Sequence, residues 1–253
     1  MDHTIPQLEA MKGIFGSQEF NLSEIDSTNN FAATLISDQL CQNGAVIMAD
    51  YQSKGKGQRG NTWTANKGEN LILSLVYMPD NLSVVEQIKL NWCTSLAIVS
   101  LLTDFEIHAT VKWPNDILVG KNKIAGILIE NQLIGQRVSL SIIGIGLNVN
   151  QLNFELPFAT SMKIERKITF SIYDLKNKLV AKMNDFIGLD FHLLKDEYEK
   201  SLFNKSQAAF YEDVNGIFEG VILGVNTDGS LNMKRGGEVI LYGIKEIIYR
   251  IDL

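Results

Sequence analysis

The 253 residues, 45% of them apolar and only 4 of them proline, suffice to bury one substantial core and exclude a disordered or fibrous chain. A formal net charge of -6 excludes the broadly basic surface of a general nucleic-acid binder, though not a local anion site. Cys41 and Cys93 are too few for a disulfide framework, and no histidine stands near either in sequence, so both read as small core hydrophobes in a reducing compartment.

The N-terminus carries Asp2 and Glu9 and lacks the basic head and apolar run of a secretory signal. Leu96–Leu102, the most apolar stretch, is far shorter than a membrane span. A cytoplasmic protein with no membrane and no nucleic-acid partner is expected. Glu24–Ser37 reads as a strand end followed by a helix capped by Ser27 or Thr28, with Phe31 and Leu35 on one face. Ala45–Ala49 and Leu71–Tyr77 read as buried strands, the second stopped by Pro79-Asp80. From Val84 to about Thr103, Ile88, Trp92, Leu96 and Val99 recur at helical spacing, which makes Trp92 a packing residue. Strands are expected at His108–Trp113, Ile124–Glu130 and Val138–Val149, the last interrupted by glycines. Ile172, Leu175, Leu179 and Met183 predict a helix over Thr169–Phe186, and a shorter one is expected at Leu193–Phe203. Residues 207–253 alternate strand-like runs with Gly and Asn-Thr-Asp-Gly turns, which predicts a tiny barrel docked on a mixed α/β part that ends near residue 204. Met11, Met48, Met78 and Met162 are assigned to packing.

Three segments stand out chemically. "YQSKGKGQRGNTW", Tyr51–Trp63, fits GxGxxG at Gly55–Gly60, yet a strand follows it rather than the helix a dinucleotide fold needs. Lys54, Lys56 and Arg59 have no acidic neighbour in sequence before Glu69, so the stretch is either a solvated charged hairpin or a loop whose N–H groups and cations hold a phosphate. In "KWPND", Lys112–Asp116, Pro114 is expected to end a strand and turn Asn115 and Asp116 out of the sheet. A hairpin at Val119–Asn122 would bring Lys112 and Lys123 to one pocket. "GIGLNVN", Gly144–Asn150, places two glycines inside a strand, marking either a bulge or a close approach by a ligand.

Taken in order with "STNN" at Ser27–Asn30 and "KIAGILIE" at Lys123–Glu130, these motifs resemble the biotin–protein ligases from about residue 20 to the C-terminus. "GVNTDGSL" at Gly224–Leu231 and "KEI" at Lys245–Ile247 extend the likeness into the small end piece. The resemblance implies an α+β fold: a mixed-sheet catalytic domain, 1–204, like those of class II aminoacyl-tRNA synthetases, and an SH3-like barrel, 207–253. It also implies ATP-dependent attachment of biotin to a lysine of a biotin carboxyl carrier domain, that of acetyl-CoA carboxylase or a related carboxylase, through biotinyl-5'-AMP and with Mg²⁺. Gene-regulating members carry an extra N-terminal helix-turn-helix domain that about twenty residues cannot hold, so a monofunctional ligase is expected, as a monomer or a homodimer.

Carried over residue by residue, the resemblance puts Ser27, Thr28, Asn29, Gln52, Gly55, Lys56, Lys123, Gly126 and Gly144 at biotin. It puts Lys56, Gly57, Gln58, Arg59, Gly60, Trp63, Asn115, Lys123 and Asn148 at ATP or the adenylate, with Trp63 against the adenine end and Gly146 allowing close approach. Lys123, Lys112, Asp116 and Arg59 are the expected catalytic group, Asp116 also meeting the metal. The family loop is often GRGRxG, and Lys56 and Gln58 stand where arginines are common, so clamping is expected to rest on Arg59 and Lys123. Arg235 is the expected stand-in for an arginine that some members place near the nucleotide. The motifs of lipoate–protein ligases, which share fold and logic, are not found, and the set Lys112, Asp116 and Lys123 argues against a binding module without chemistry.

Overall fold

The computed structural model describes residues 13–252; Asp2, Glu9 and Met11 lie outside them. The larger unit runs β1 (Glu19–Leu22), α1 (Thr28–Ser37), β2 (Val46–Ala49), β3 (Asn70–Tyr77), β4 (Leu82–Ser83), α2 (Ile88–Asp104), β5 (Ala109–Lys112), β6 (Asp116–Val119), β7 (Asn122–Ile134), β8 (Arg137–Asn148), α3 (Met162–Arg166), α4 (Ile172–Ile187) and α5 (Phe191–Lys200). Its eight-stranded sheet has the order β1-β2-β3-β8-β7-β6-β5, with β4 paired to β8. Only β1 and β2 pair in parallel. The mixed-sheet α+β expectation is met.

Side chains alternate across a strand, so register decides which residues share a face. Leu71, Leu147, Ala125, Ile117 and Val111 lie opposite one another across β3, β8, β7, β6 and β5, and all are fully buried. They face the layer of α2, α4 and α5, where Leu90, Ile98, Leu101, Leu175, Leu179 and Met183 complete the main core. Trp92 is fully buried there, 5.1 Å from the ring of Phe191 and 5.7 Å from that of Tyr198. On the other face α1 packs Ala32 and Leu35 against Ile47, Val76 and Ile142 in a second, smaller cluster.

The expected elements are present with shifted ends, and two features differ in kind. Asp116 is not turned out of the sheet: it opens β6, opposite both Lys112 and Gly126. The turn before it, Trp113–Asn115, contains the cis peptide bond Trp113–Pro114 and returns the chain directly into the ladder. Gly144 and Gly146 do not interrupt β8, because both stay paired to β3 and β7. The helix at Leu193–Phe203 starts earlier, at Phe191, because Asp190 accepts from the N–H groups of His192 and Leu193 as an N-cap.

Beyond Lys205 come β9 (Ala208–Asp213), β10 (Gly216–Val225), β11 (Leu231–Arg235), β12 (Glu238–Tyr242) and β13 (Ile248–Tyr249), a five-stranded antiparallel sheet of order β12-β11-β10-β9-β13. A register break at Ile222–Gly224 supplies the extra residue that bends such sheets. Tyr211, Phe218, Ile222 and Met233 join the same apolar cluster as Leu194, Tyr198 and Leu202 of the larger unit. The boundary near residue 204 therefore marks a change of sheet, not of core.

Lys176 of α4 has a 1% exposed side chain and places Nζ 2.7 and 2.6 Å from the two carboxylate oxygens of Glu19 on the edge strand β1. Only the lysine of this pair is buried, Glu19 being exposed, so it is loss of the carboxylate that strands a buried charge: Glu19→Ala should lower unfolding free energy by about 3 kcal/mol. Urea titration checks this, and a loss well under 1 kcal/mol would contradict it. Among the described residues no helix is long and apolar enough to cross a membrane.

Candidate functional site

One residue along from the buried row, Ile72, Gly146, Gly126, Asp116 and Lys112 face the α1 side of the sheet, aligned across β3, β8, β7, β6 and β5. Lys123 would face away from them in a regular strand, since it lies three positions from Gly126. A bulge corrects this: Ala125 pairs with Ile117 but Lys123 pairs with Leu118, and Ile124 and Ala125 both point into the core. Lys123 Nζ then lies 2.6 Å from Asp116 Oδ1, with Lys112 Nζ 3.4 Å from Oδ2. The two lysines do meet at one site, joined by the carboxylate between them.

The glycines of this row make room for an aromatic ring. A Cβ on Gly146 would stand 2.4 Å from the Trp63 indole, and one on Gly126 would stand 3.1 Å from it. Trp63 is delivered there by the glycine-rich loop, which is less loose than its composition suggests. Gly57 N–H donates to Asn61 O, Trp63 N–H donates to Gly55 O, and Gln58–Gly60 forms one 3-10 turn. Gly55 is required, because a Cβ there would stand 2.3 Å from the carbonyl oxygen of Trp63. Trp63 Nε1 is buried without a hydrogen-bond partner.

A polar chain lines the next row. Gln52 Oε1 accepts from the Thr28 N–H (2.7 Å) and lies 3.0 Å from the Thr28 hydroxyl. Ser74 Oγ lies 2.7 Å from Thr28 Oγ1 and 2.6 Å from Asn29 Oδ1. Asn29 Nδ2 donates to Glu130 Oε2 (2.7 Å), and Glu130 Oε1 faces Lys56 Nζ at 3.7 Å. Gln52 thus caps α1 from outside. Ser27 occupies the N-cap position, but its side chain makes no cap hydrogen bond. Ser74 and Glu130 were not expected at the site, although Ser74 is the one polar residue in the aliphatic run Leu71–Val76. Gly144 is needed beside them, because a Cβ there would stand 2.6 Å from Asn29 Oδ1.

Three cavities of about 50, 200 and 270 Å³ meet at Trp63 and Lys123, which line all of them. The smallest holds the polar chain, with Ser27, Thr28, Asn29, Gln52, Lys56 and Gly144 in its wall. The second is bounded by Asn148 and the segment Gln151–Ala159, whose Phe158 carbonyl accepts from the Lys123 N–H. The third contains Gln58, Lys112, Asn115 and Asp116, together with Ile248 and Tyr249 of the second sheet and Ile247 just before them. Asn115 and Asn148 serve partly as struts: their Nδ2 groups donate to Ile127 O and Thr160 O, at 2.8 and 2.9 Å. Gly60 sits at φ 81°, at the end of the turn, and the side chain of Arg59 lies outside the described residues.

The local field is not purely positive, since Lys56 has Glu130 as a tertiary neighbour. That pair is nearly half exposed on both sides and is worth about 0–1 kcal/mol, so Lys56 remains available to an anion. Arg235 is elsewhere: it pairs with Asp213 at 2.6 Å, stacks over Phe218 and lines none of the three cavities. Burial pushes the Cys93 thiol up to about 12, which fits a packing residue. Among the described residues no three His, Cys, Asp or Glu side chains come together. Asp116, with lysines on both oxygens, fits a Mg²⁺ ion that arrives on phosphate oxygens rather than one held by a protein cage.

A model of the biotin/lipoate A/B protein ligase family matches residues 22–148. The bifunctional ligase/repressor BirA of Bacillus spizizenii is 31% identical over 244 residues, covering 90% of this chain and 71% of that protein. The biotin–[acetyl-CoA-carboxylase] ligase of Paracoccus denitrificans is 32% identical over 131 residues, covering 51% of this chain and 53% of that one. Among solved structures, the biotin protein ligase of Aquifex aeolicus in complex with biotin and ATP superposes with a TM-score of 0.73, at 22% identity, over 93% of this chain and 99% of that one.

Proposed function

Given that the chain belongs to the biotin/lipoate A/B protein ligase family, we propose that the Lys112–Asp116–Lys123 row and the polar chain beside it carry out biotin adenylation and transfer. The protein is an ATP-dependent ligase that attaches biotin to a biotin carboxyl carrier protein. The carrier domain of acetyl-CoA carboxylase, named in the Paracoccus relative, is the acceptor proposed, and the cytoplasm is the proposed compartment. Residues 1–204 form the catalytic part, and 207–253 the end piece that reaches into its third cavity.

In the first step the biotin carboxylate attacks the α-phosphorus of ATP and pyrophosphate leaves. In the second the ε-amine of the acceptor lysine attacks the acyl carbon of the anhydride and AMP leaves. Both reactants of the first step are anions, so fixed cations must lower their repulsion. Lys123, at the junction of the three cavities, meets both the carboxylate and the α-phosphate. Lys112 faces the phosphates beyond, and Asp116 holds the two ammonium groups apart and aimed. Asp116 is the residue that would meet a Mg²⁺ ion, which would add charge neutralisation at the phosphates. The biotin ring system takes the small cavity, where Thr28, Asn29 and Gln52 offer hydrogen bonds to a ureido group at the end of an apolar slot, with Ser74 bracing Thr28 and Asn29 from behind. Trp63 and Asn148 border the adenosine end, with Gly57–Gly60 and Arg59 over the adenylate.

The carrying observation is the convergence of Lys112, Asp116 and Lys123 beside that polar chain. Exchange of labelled pyrophosphate into ATP tests it, with biotin, lipoate and octanoate supplied in parallel. Exchange with biotin alone is expected. Exchange with lipoate instead would overturn the pocket assignment, and no exchange with any acid would overturn the reaction.

A further inference from the structure

The two ammonium groups that share Asp116 are each closed off by an aromatic face. Lys123 Nζ lies 5.6 Å from the centroid of Trp63, and Lys112 Nζ lies 5.6 Å from that of Tyr249. The result is a row of ring, cation, carboxylate, cation, ring. Trp63 comes from the glycine-rich loop, but Tyr249 comes from β13 of the second sheet, in a segment to which no role has been given.

Tyr249 is well placed to hold a partner still. It pairs with Tyr211 across β13 and β9, its ring stands 5.2 Å from that of Tyr211 in an edge contact, and Phe203 packs 6.4 Å away. Its hydroxyl is buried and has no hydrogen-bond partner, and burial raises the phenol well above its ordinary range. The hydroxyl thus neither ionises nor donates here, and the face of the ring is what the site meets. An ammonium over such a face is attracted by the ring quadrupole without being neutralised, so it stays free to attract an anion. The same turn is tied to the second sheet at another point: Trp113 Nε1 donates to Gly229 O at 2.9 Å. The third cavity, lined by Gln58, Lys112, Asn115, Asp116, Lys123 and Tyr249, opens on the row.

We infer that Tyr249 is a positioning residue: its ring holds the Lys112 ammonium toward the third cavity, so that the second sheet contributes to binding the triphosphate of ATP. This rests on the adenylation reading for the identity of the anion. The simpler role, packing between the two sheets, predicts other results.

The test compares Tyr249→Phe and Tyr249→Leu in the full chain. It measures KM for ATP and for biotin separately in pyrophosphate exchange, ATP binding by calorimetry without biotin, and the thermal midpoint. Tyr249→Phe keeps the ring and should hold KM for ATP within about twofold. Tyr249→Leu should raise KM and Kd for ATP about five- to tenfold while KM for biotin stays constant. In a Lys112→Gln background the leucine change should add nothing further, because the ring then has no cation to hold. Tyr249→Met serves in the same comparison if the leucine variant does not fold. Equal rises in both KM values with a lowered midpoint, equal losses from Phe and Leu, or an additive effect in the Lys112→Gln background would each overturn the inference. Failure of wild-type exchange would instead overturn the reaction, with the calorimetric comparison still deciding the role of Tyr249.

Discussion

Lys123→Ala is expected to reduce biotin-dependent pyrophosphate exchange by about 10²–10³-fold, the range seen when one fixed donor to developing charge is removed. The effect should be this large because Lys123 alone shares the junction of all three cavities with Trp63. No neighbouring cation can replace it. Lys112 reaches the far oxygen of Asp116 at 3.4 Å, and Lys56 belongs to the opposite end of the polar chain. The fold should survive, because the Lys123 backbone is fixed independently of its side chain. Its N–H donates to Phe158 O, its carbonyl accepts from Thr160, and it is paired to Leu118 in the ladder. The side chain is also 37% exposed, so its loss opens no core cavity. Lys123→Arg should recover only part of the rate, since a planar fork on a longer stem cannot occupy the ammonium's point position between Asp116 and two anions. Near-normal exchange by Lys123→Ala, with an unchanged circular dichroism spectrum, would remove Lys123 from the mechanism.

Why this lysine lies where it does was only partly legible in the sequence. The motifs singled out Lys112, Asp116 and Lys123, and the apolar run Leu71–Tyr77 marked β3 as a buried strand. What no local pattern carried was the register between strands. The row Ile72, Gly146, Gly126, Asp116 and Lys112 exists only because five strands pair in one particular alignment. The bulge that brings Lys123 into line with Gly126 depends on Ile124 and Ala125 both preferring the core, a tertiary choice. Pro114 misled for the same reason: a Pro-Asn-Asp stretch signals an exit from a sheet, yet the chain re-enters it at once because Asp116 has partners on both sides. For the glycines of "GIGLNVN" the local pattern left a bulge and a ligand's close approach both open; the strand stays paired, and the groups that approach are the protein's own Trp63 and Asn29. Glu130 was passed over because its role is set by Asn29 and Lys56, both remote in sequence.

Gly146→Ala tests that close approach and should be damaging, though less so than loss of the lysine. The new methyl would stand 2.4, 2.6 and 2.7 Å from three atoms of the Trp63 indole, closer than real contacts allow. Either the strand or the ring must move. The strand is the stiffer of the two: Gly146 is paired to Ile72 on one side and Gly126 on the other, within the sheet that carries the main core. Trp63 hangs on a short loop stretch between its hydrogen bond to Gly55 and the segment leading to β3, so the ring is displaced. Overpacking of this kind costs about 1–3 kcal/mol. If the strain falls on a ring that borders all three cavities, that becomes a loss of roughly five- to 150-fold in kcat/KM at 1.36 kcal/mol per tenfold. The thermal midpoint should change little, because a displaced surface-loop ring leaves the strand pairing intact. A companion change, Trp63→Ala, removes the clash, so adding Gly146→Ala to it should cause almost no further loss in kcat/KM. A full-sized second loss in that background would place the effect in the strand, with Gly146 then serving the sheet rather than the seat of the ring.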